Sequence, residues 1–204
     1  MTLEKEEFNL STKASGRIDV LVPRCLIGEG ANILGVTVDF EGLCSLQVEW
    51  NHGKICSIKG LKDASKVPNE ILLPRFSEPH AHLDKAFSWS RAPNYKGSYQ
   101  EALVANLNDY KSRSQGQLLF SVEKSLNLAL VNGIRAIRSH IDSFGENVMR
   151  DWDLLEDIRK KWRDKIFLQF VALVPLEFWQ TYEGELLAQR VALNGDLLGG
   201  VIAP

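Results

Sequence analysis

The octapeptide EPHAHLDK, residues 78–85, sets two of the chain's four histidines either side of one alanine. The wider segment RFSEPHAHL reads as a short extended strand. On a strand, residues i and i+2 point to the same face, so His80 and His82 project together. Two imidazoles so placed can approach one divalent metal at the roughly 2.0–2.1 Å that zinc–nitrogen bonds need. The plain alternative is two unrelated polar residues at a strand end. The surrounding sequence weighs between the two.

Downstream of Pro74 the pattern alternates strands and helices. SYQEALVANLNDYKSR has helical spacing at Ala102, Leu103, Leu107 and Tyr110. QLLFSVEKSLNLALVNG is a stronger helix, with Leu118, Leu119, Val122, Leu126, Ala129 and Leu130 on one stripe and Gly133 where a C-terminal cap belongs. IRAIRSHID returns to strand. ENVMRDWDLLEDIRKKW is helical and buries Val148, Trp152, Leu155, Ile158 and Trp162. IFLQFVALVP is a near-continuous apolar strand of the kind buried in a parallel sheet. EGELLAQRVALNG is a helix ending at Gly195, and DLLGGVIAP opens a fourth strand. The order β-α-α-β-α-β-α-β implies crossovers and a parallel sheet, either doubly wound or a (β/α)8 barrel. No glycine-rich phosphate loop follows the first strand, which counts against a nucleotide site. Both folds build active sites at the C-terminal ends of their strands, where His80 and His82 stand. That position favours the metal.

Upstream the sequence differs. Residues 17–73 read as a small β subdomain, with strands in RIDVLVPRCLI and CSLQVEWNHGKICSIKG and a hairpin turn at Asn51–Lys54. His52 belongs to that turn. ANILGVTVDFEGL fits another strand and turn. Residues 1–16 form a polar tail without the apolar core of a signal peptide.

Composition narrows the classes. The chain has 204 residues, 45% hydrophobic and 25% charged, with a net charge of −2; no basic footprint for nucleic acid is present. No apolar run approaches the roughly 20 residues of a membrane span. Cys25, Cys44 and Cys56 are odd in number and lack CxxC spacing, as expected of free thiols in a reducing cytoplasm.

LLPRFSEPHAHLDK after a small β domain resembles the amidohydrolase superfamily, and within it the cytosine deaminase-like branch. NGIRAIRSHID and IFLQFVALVP resemble that branch's second and third barrel strands. The resemblance implies the N-terminal part of a metal-dependent-hydrolase (β/α)8 (TIM) barrel preceded by a β-sandwich subdomain, with residues 74–204 supplying about four of the strands. It implies one divalent metal ion, iron or zinc, held in part by His80 and His82, and hydrolytic deamination of a small cyclic nitrogenous substrate. The chemistry is coherent: water is a poor nucleophile at neutral pH, a metal lowers its pKa toward about 7, and a carboxylate carries the proton to the leaving nitrogen.

Other residues carry weaker expectations. Arg138, His140 and Asp142 share one face of the second strand by period-2 counting, with Arg138 expected to pair with Asp142 because a buried charge needs a partner. His140 is either a substrate-facing group or a hydrogen-bonded structural histidine. Asp84 and Lys85 orient the site or lie in a solvated turn. The resembled branch has a glutamine after the proline ending strand three and a leucine in the first helix region; here Leu176 and Tyr99 stand there. Loss of the amide argues against cytosine itself.

The third metal histidine, the glutamate and the aspartate that the resemblance implies find no candidates, so no catalytic residue is expected in this chain and a C-terminal half-chain is the expected partner. Two other readings compete: an inactive truncated remnant, and a non-enzymatic metal-binding α/β module.

Overall fold

The computed structural model describes residues 14–28, 35, 36, 38–61 and 67–202. Two compact units emerge, Met1–Pro74 and Arg75–Pro204.

In the first unit, β1 (Ser15–Pro23), β2 (Leu43–Asn51) and β3 (Lys54–Gly60) form an antiparallel sheet in the order β1-β2-β3. Alternation places Val20, Val22, Cys44, Leu46 and Val48 in its buried core. The β2–β3 hairpin closes as expected: Asn51 pairs with Lys54 while His52 and Gly53 adopt φ of 46° and 73°. Two consecutive left-handed residues make the primed turn whose twist suits a hairpin. Past Pro23 the predicted strand gives way to a 3-10 turn, Arg24–Leu26. The strand expected in ANILGVTVDFEGL does not form among the described residues there; Val38 makes only an isolated bridge to Cys44, and Phe40 is exposed. Residues 29–34 and 37 of that region lie outside the described residues, as does most of the expected tail.

In the second unit, β4 (Phe76–Ala81), β5 (Ile134–Asp142), β6 (Phe167–Pro175) and β7 (Leu197–Val201) form a parallel sheet in sequence order. The helices between them are α1 (Tyr99–Ser112), α2 (Gln115–Val131), α3 (Val148–Trp162) and α4 (Tyr182–Leu193). The β-α-α-β-α-β-α-β order is therefore observed, and the sheet is a half-barrel's worth of parallel strands. Leu118, Val122 and Leu126 of α2 and Trp152, Leu155, Ile158 and Trp162 of α3 join Leu168, Phe170 and Val174 of β6 in one core. Helix α2 begins with a reciprocal cap: the Ser114 hydroxyl accepts from the Gln117 amide while the Gln117 side chain accepts from Ser114 N–H.

Two apolar stripes depart from expectation. Leu119 of α2 is exposed, and so are Ala102 and Leu103 of α1. Helix α1 is instead fixed by polar side chains on Asn106, Asp109 and Tyr110, described below. IFLQFVALV is largely covered, whereas Leu198, Val201 and Ile202 at the β7 end are exposed.

Candidate metal centre

Strand β4 delivers His80, and His82 follows directly as the chain turns into the 3-10 segment Leu83–Lys85. The β4–β5 register shifts between Glu78 and Ala81, an irregularity of the kind that re-aims side chains beside functional sites. Three imidazoles gather there. The His80 and His82 rings stand 5.2 Å apart at 74°, and His140 from β5 lies 4.0 Å from His80 and 5.7 Å from His82. Nδ1 of His82 lies 3.0 Å from the His140 carbonyl oxygen. A carbonyl only accepts, so Nδ1 carries the proton and Nε2 keeps its lone pair. Burial, and then the Lys85 ammonium, push the His82 pKa down, which favours the neutral ring a metal requires.

The donor set fits a metal in part. Rings ligating one ion through nitrogen at a tetrahedral angle, with bonds of about 2 Å, have centroids about 5 Å apart, close to the His80–His82 separation. The carbonyl bond on the far nitrogen of His82 is the usual outer partner of a ligating histidine. His140 does not complete the set. Its ring stacks on His80 at 21°, so the in-plane lone pairs run side by side rather than converging. Among the described residues no group of three or more His, Cys, Asp or Glu side chains is arranged to hold a metal ion.

A polar clamp surrounds the pair. Lys85 Nζ lies 2.9 and 3.0 Å from the two carboxylate oxygens of Asp142, and Asn106 Nδ2 donates to Asp142 Oδ2 at 2.9 Å. Asp84 is fully buried; its Oδ2 accepts from the Asp142 N–H, and Arg113 Nη1 donates to its backbone carbonyl at 2.7 Å. Arg113 is itself buried and lies beside Asp109, which also accepts from Arg91. Burial and the Asp142 carboxylate push the Asp84 pKa up to about 6, against the opposing pull of Arg113 and Lys85.

This placement corrects several expectations. Arg138 does not pair with Asp142: its guanidinium bonds Gln169 on the neighbouring strand, because Lys85 and Asn106 already satisfy that carboxylate. Asp84 is not a solvated turn acid but the buried centre of the clamp, and Lys85 is its half-buried neighbour. Along β5, Ile137, Ser139 and Ile141 are buried while Arg138 is exposed and His140 partly so; Asp142 is buried as well, so the alternation ends at Ile141. Tyr99 opens α1 with its side chain exposed, and Leu176 follows Pro175 at the end of β6, also exposed; neither joins the histidine cluster through a hydrogen bond or ring contact among the described residues. Asn106, Arg91 and Arg113 were not read from the sequence. Part of the signal is local: Asn106 and Asp109 stand at i and i+3 on one side of α1, and Arg113 is the residue that ends the helix.

A parallel α/β half-barrel with histidines at its C-terminal strand ends is the architecture of the barrel hydrolases. Comparisons with known proteins make this specific. No protein-family model matches the chain. It is 34% identical over 156 residues to the pterin deaminase of Rhizobium rhizogenes, covering 71% of this chain and 36% of that protein. It superposes on 5-methylcytosine deaminase from Klebsiella pneumoniae with a TM-score of 0.63 at 20% identity, over 77% of this chain and 40% of that one. N-isopropylammelide isopropylaminohydrolase from Burkholderia multivorans gives 0.54 at 24% identity, over 89% and 44%. The two structural likenesses speak to the fold. Over its matched part the chain is similar to deaminases and amidohydrolases of the amidohydrolase superfamily, and it spans well under half the length of the relatives it matches.

Proposed function

We propose that this chain supplies part of the active site of a metal-dependent deaminase that removes ammonia hydrolytically from an amino-substituted nitrogen heterocycle. The observation that carries the reading is the His82 Nδ1 bond to the His140 carbonyl, which leaves Nε2 free beside His80. These two side chains would hold a single divalent ion, iron or zinc. Such an ion supplies Lewis-acid activation of water near neutral pH. Burial, and then Lys85, favour the neutral His82 ring, Asp142 balances Lys85, and the buried Asp84 ties the turn carrying His82 and Lys85 to β5. The remaining ligands and the proton-carrying carboxylate fall to polypeptide equivalent to the part of the relatives that this chain does not span, acting as its partner.

The likeness to a pterin deaminase supports a substrate whose amine sits on a carbon between two ring nitrogens. Leu176, apolar at the end of β6 where an amide would read a pyrimidine edge, argues against narrow preference for cytosine. Free Cys25, Cys44 and Cys56 suit a reducing, cytoplasmic setting. No described helix is long and apolar enough to cross a membrane, and the near-neutral charge suits a small-molecule rather than a nucleic-acid partner.

The test is reconstitution. Residues 1–204 are co-expressed with the remaining portion of the pterin deaminase relative, and ammonia release is followed with pterin, cytosine and methylated cytosines. Pterin turnover is expected to exceed cytosine turnover, and His80→Ala with His82→Ala is expected to abolish both turnover and retained metal. Equal metal content in the parent and the double variant would sink the reading.

A further inference from the structure

We propose that His140 positions both metal-holding histidines, its backbone carbonyl orienting His82 and its imidazole ring orienting His80. The inference rests on the metal reading of that pair and adds a residue that is not itself a ligand. Strand β5 brings the two halves of one residue to different partners. The carbonyl oxygen, 3.0 Å from His82 Nδ1, sets that ring's tautomer and plane. The side chain lies nearly flat against His80, with 4.0 Å between centroids and 21° between planes. Against His82 the same ring is tilted at 53° and farther away, so its stacking acts on His80 alone.

His80 needs such support. It is exposed, and its backbone N–H rather than its ring takes the Glu78 carboxylate at 2.9 Å. A free imidazole on an exposed strand end samples several rotamers, and fixing it when a metal binds has an entropic cost. Stacking on a ring already fixed in the sheet meets that cost before the metal arrives. Nδ1 of His140 is buried and has no hydrogen-bond partner among the described residues. A backbone hydrogen bond to Ala81 helps to hold the ring, and the face so held stacks on His80.

The test uses residues 1–204 and Co2+ as the probe. Affinity is measured by competition with a chromophoric chelator, and the ligand field by the cobalt d–d absorption. Four proteins are compared with the parent: His140→Phe, His140→Leu, His140→Ala, and His80→Ala with His82→Ala. Phe keeps a flat π face, Leu fills the volume without one, and every substitution keeps the carbonyl. Loss of an outer positioning partner weakens metal binding by roughly 10- to 100-fold. His140→Leu and His140→Ala are expected to lose about tenfold and to shift the d–d bands, whereas His140→Phe stays within about twofold of the parent. Thermal melting identifies any variant that fails to fold, and the Phe–Leu comparison stands if Ala does. Parent-like affinity in His140→Leu, or an equal loss in His140→Phe, overturns the positioning role alone. Parent-like affinity in the His80/His82 double variant overturns the metal reading and this inference with it.

Discussion

At the scale of single residues, the clamp around Asp142 and Asp84 makes sharp predictions. Lys85 is one cause of the depressed His82 pKa. Lys85→Met is therefore expected to raise the His82 pKa in metal-free protein, as followed by NMR titration of its ring. Removing Asp142 leaves the Lys85 ammonium and the Asn106 amide without their acceptor. The full penalty for orphaning a buried charge is roughly 3–5 kcal/mol; because Lys85 keeps some contact with water, Asp142→Ala is expected to lose about 2 kcal/mol in urea unfolding. Asp84 titrates in the opposite sense to a salt-bridged acid. Its folded pKa, about 6, lies above the unfolded value of roughly 3.9. The folded state thus binds more protons between those limits, and stability falls as pH rises from about 4 to about 6. Asp84→Asn, which cannot ionise, should flatten that slope. An unchanged slope would show that Asp84 binds no more protons in the folded state than in the unfolded one.

At the scale of elements, what was legible depended on which interaction fixes each helix. In helix α3 the buried Trp152, Leu155, Ile158 and Trp162 are legible from spacing because burial of a wide apolar stripe is the dominant local signal. Trp152 is buried and its Nε1 donates to Ser143 Oγ at 3.0 Å. Trp152→Ala is expected to cost about 3–5 kcal/mol, and Trp152→Phe about 1 kcal/mol through the lost hydrogen bond, both by thermal or urea unfolding. Helix α1 forms as its spacing predicts, but its anchors are polar. Asn106 reaches Asp142, Asp109 holds Arg91, and Tyr110 donates to the Phe144 carbonyl. A hydrophobic pattern cannot register a helix tied down by partners that are distant in sequence. The reciprocal cap of Ser114 and Gln117 is local; Ser114→Ala should destabilise by about 1 kcal/mol.

At the scale of the molecule, the parallel sheet carries apolar side chains on its last strand. Leu198 is 54% exposed on β7, a strand paired along one side only among the described residues, and Ile202 just past it is 87% exposed. Uncovered apolar edges favour association. Leu198→Lys with Ile202→Lys is expected to lower self-association of residues 1–204 in sedimentation velocity, with unchanged far-UV circular dichroism. Association as strong as the parent's would place the sticky surface elsewhere.

The sequence by itself determined the strand–helix order, the hairpin at Asn51–Lys54, the buried stripe of α3 and the place of His80 at the end of the first parallel strand. Each depends on spacing within a few residues, through the periods of 2 and 3.6 and the φ preferences of a turn. Only the tertiary structure decided that Arg138 bonds Gln169, that Asp84 is buried against Arg113, and that His140 meets one histidine through its carbonyl and the other through its ring. Those pairings join residues far apart in the chain, and one carboxylate can satisfy several competing cations. Which cation reaches it is set by strand register and helix docking, which no local pattern encodes.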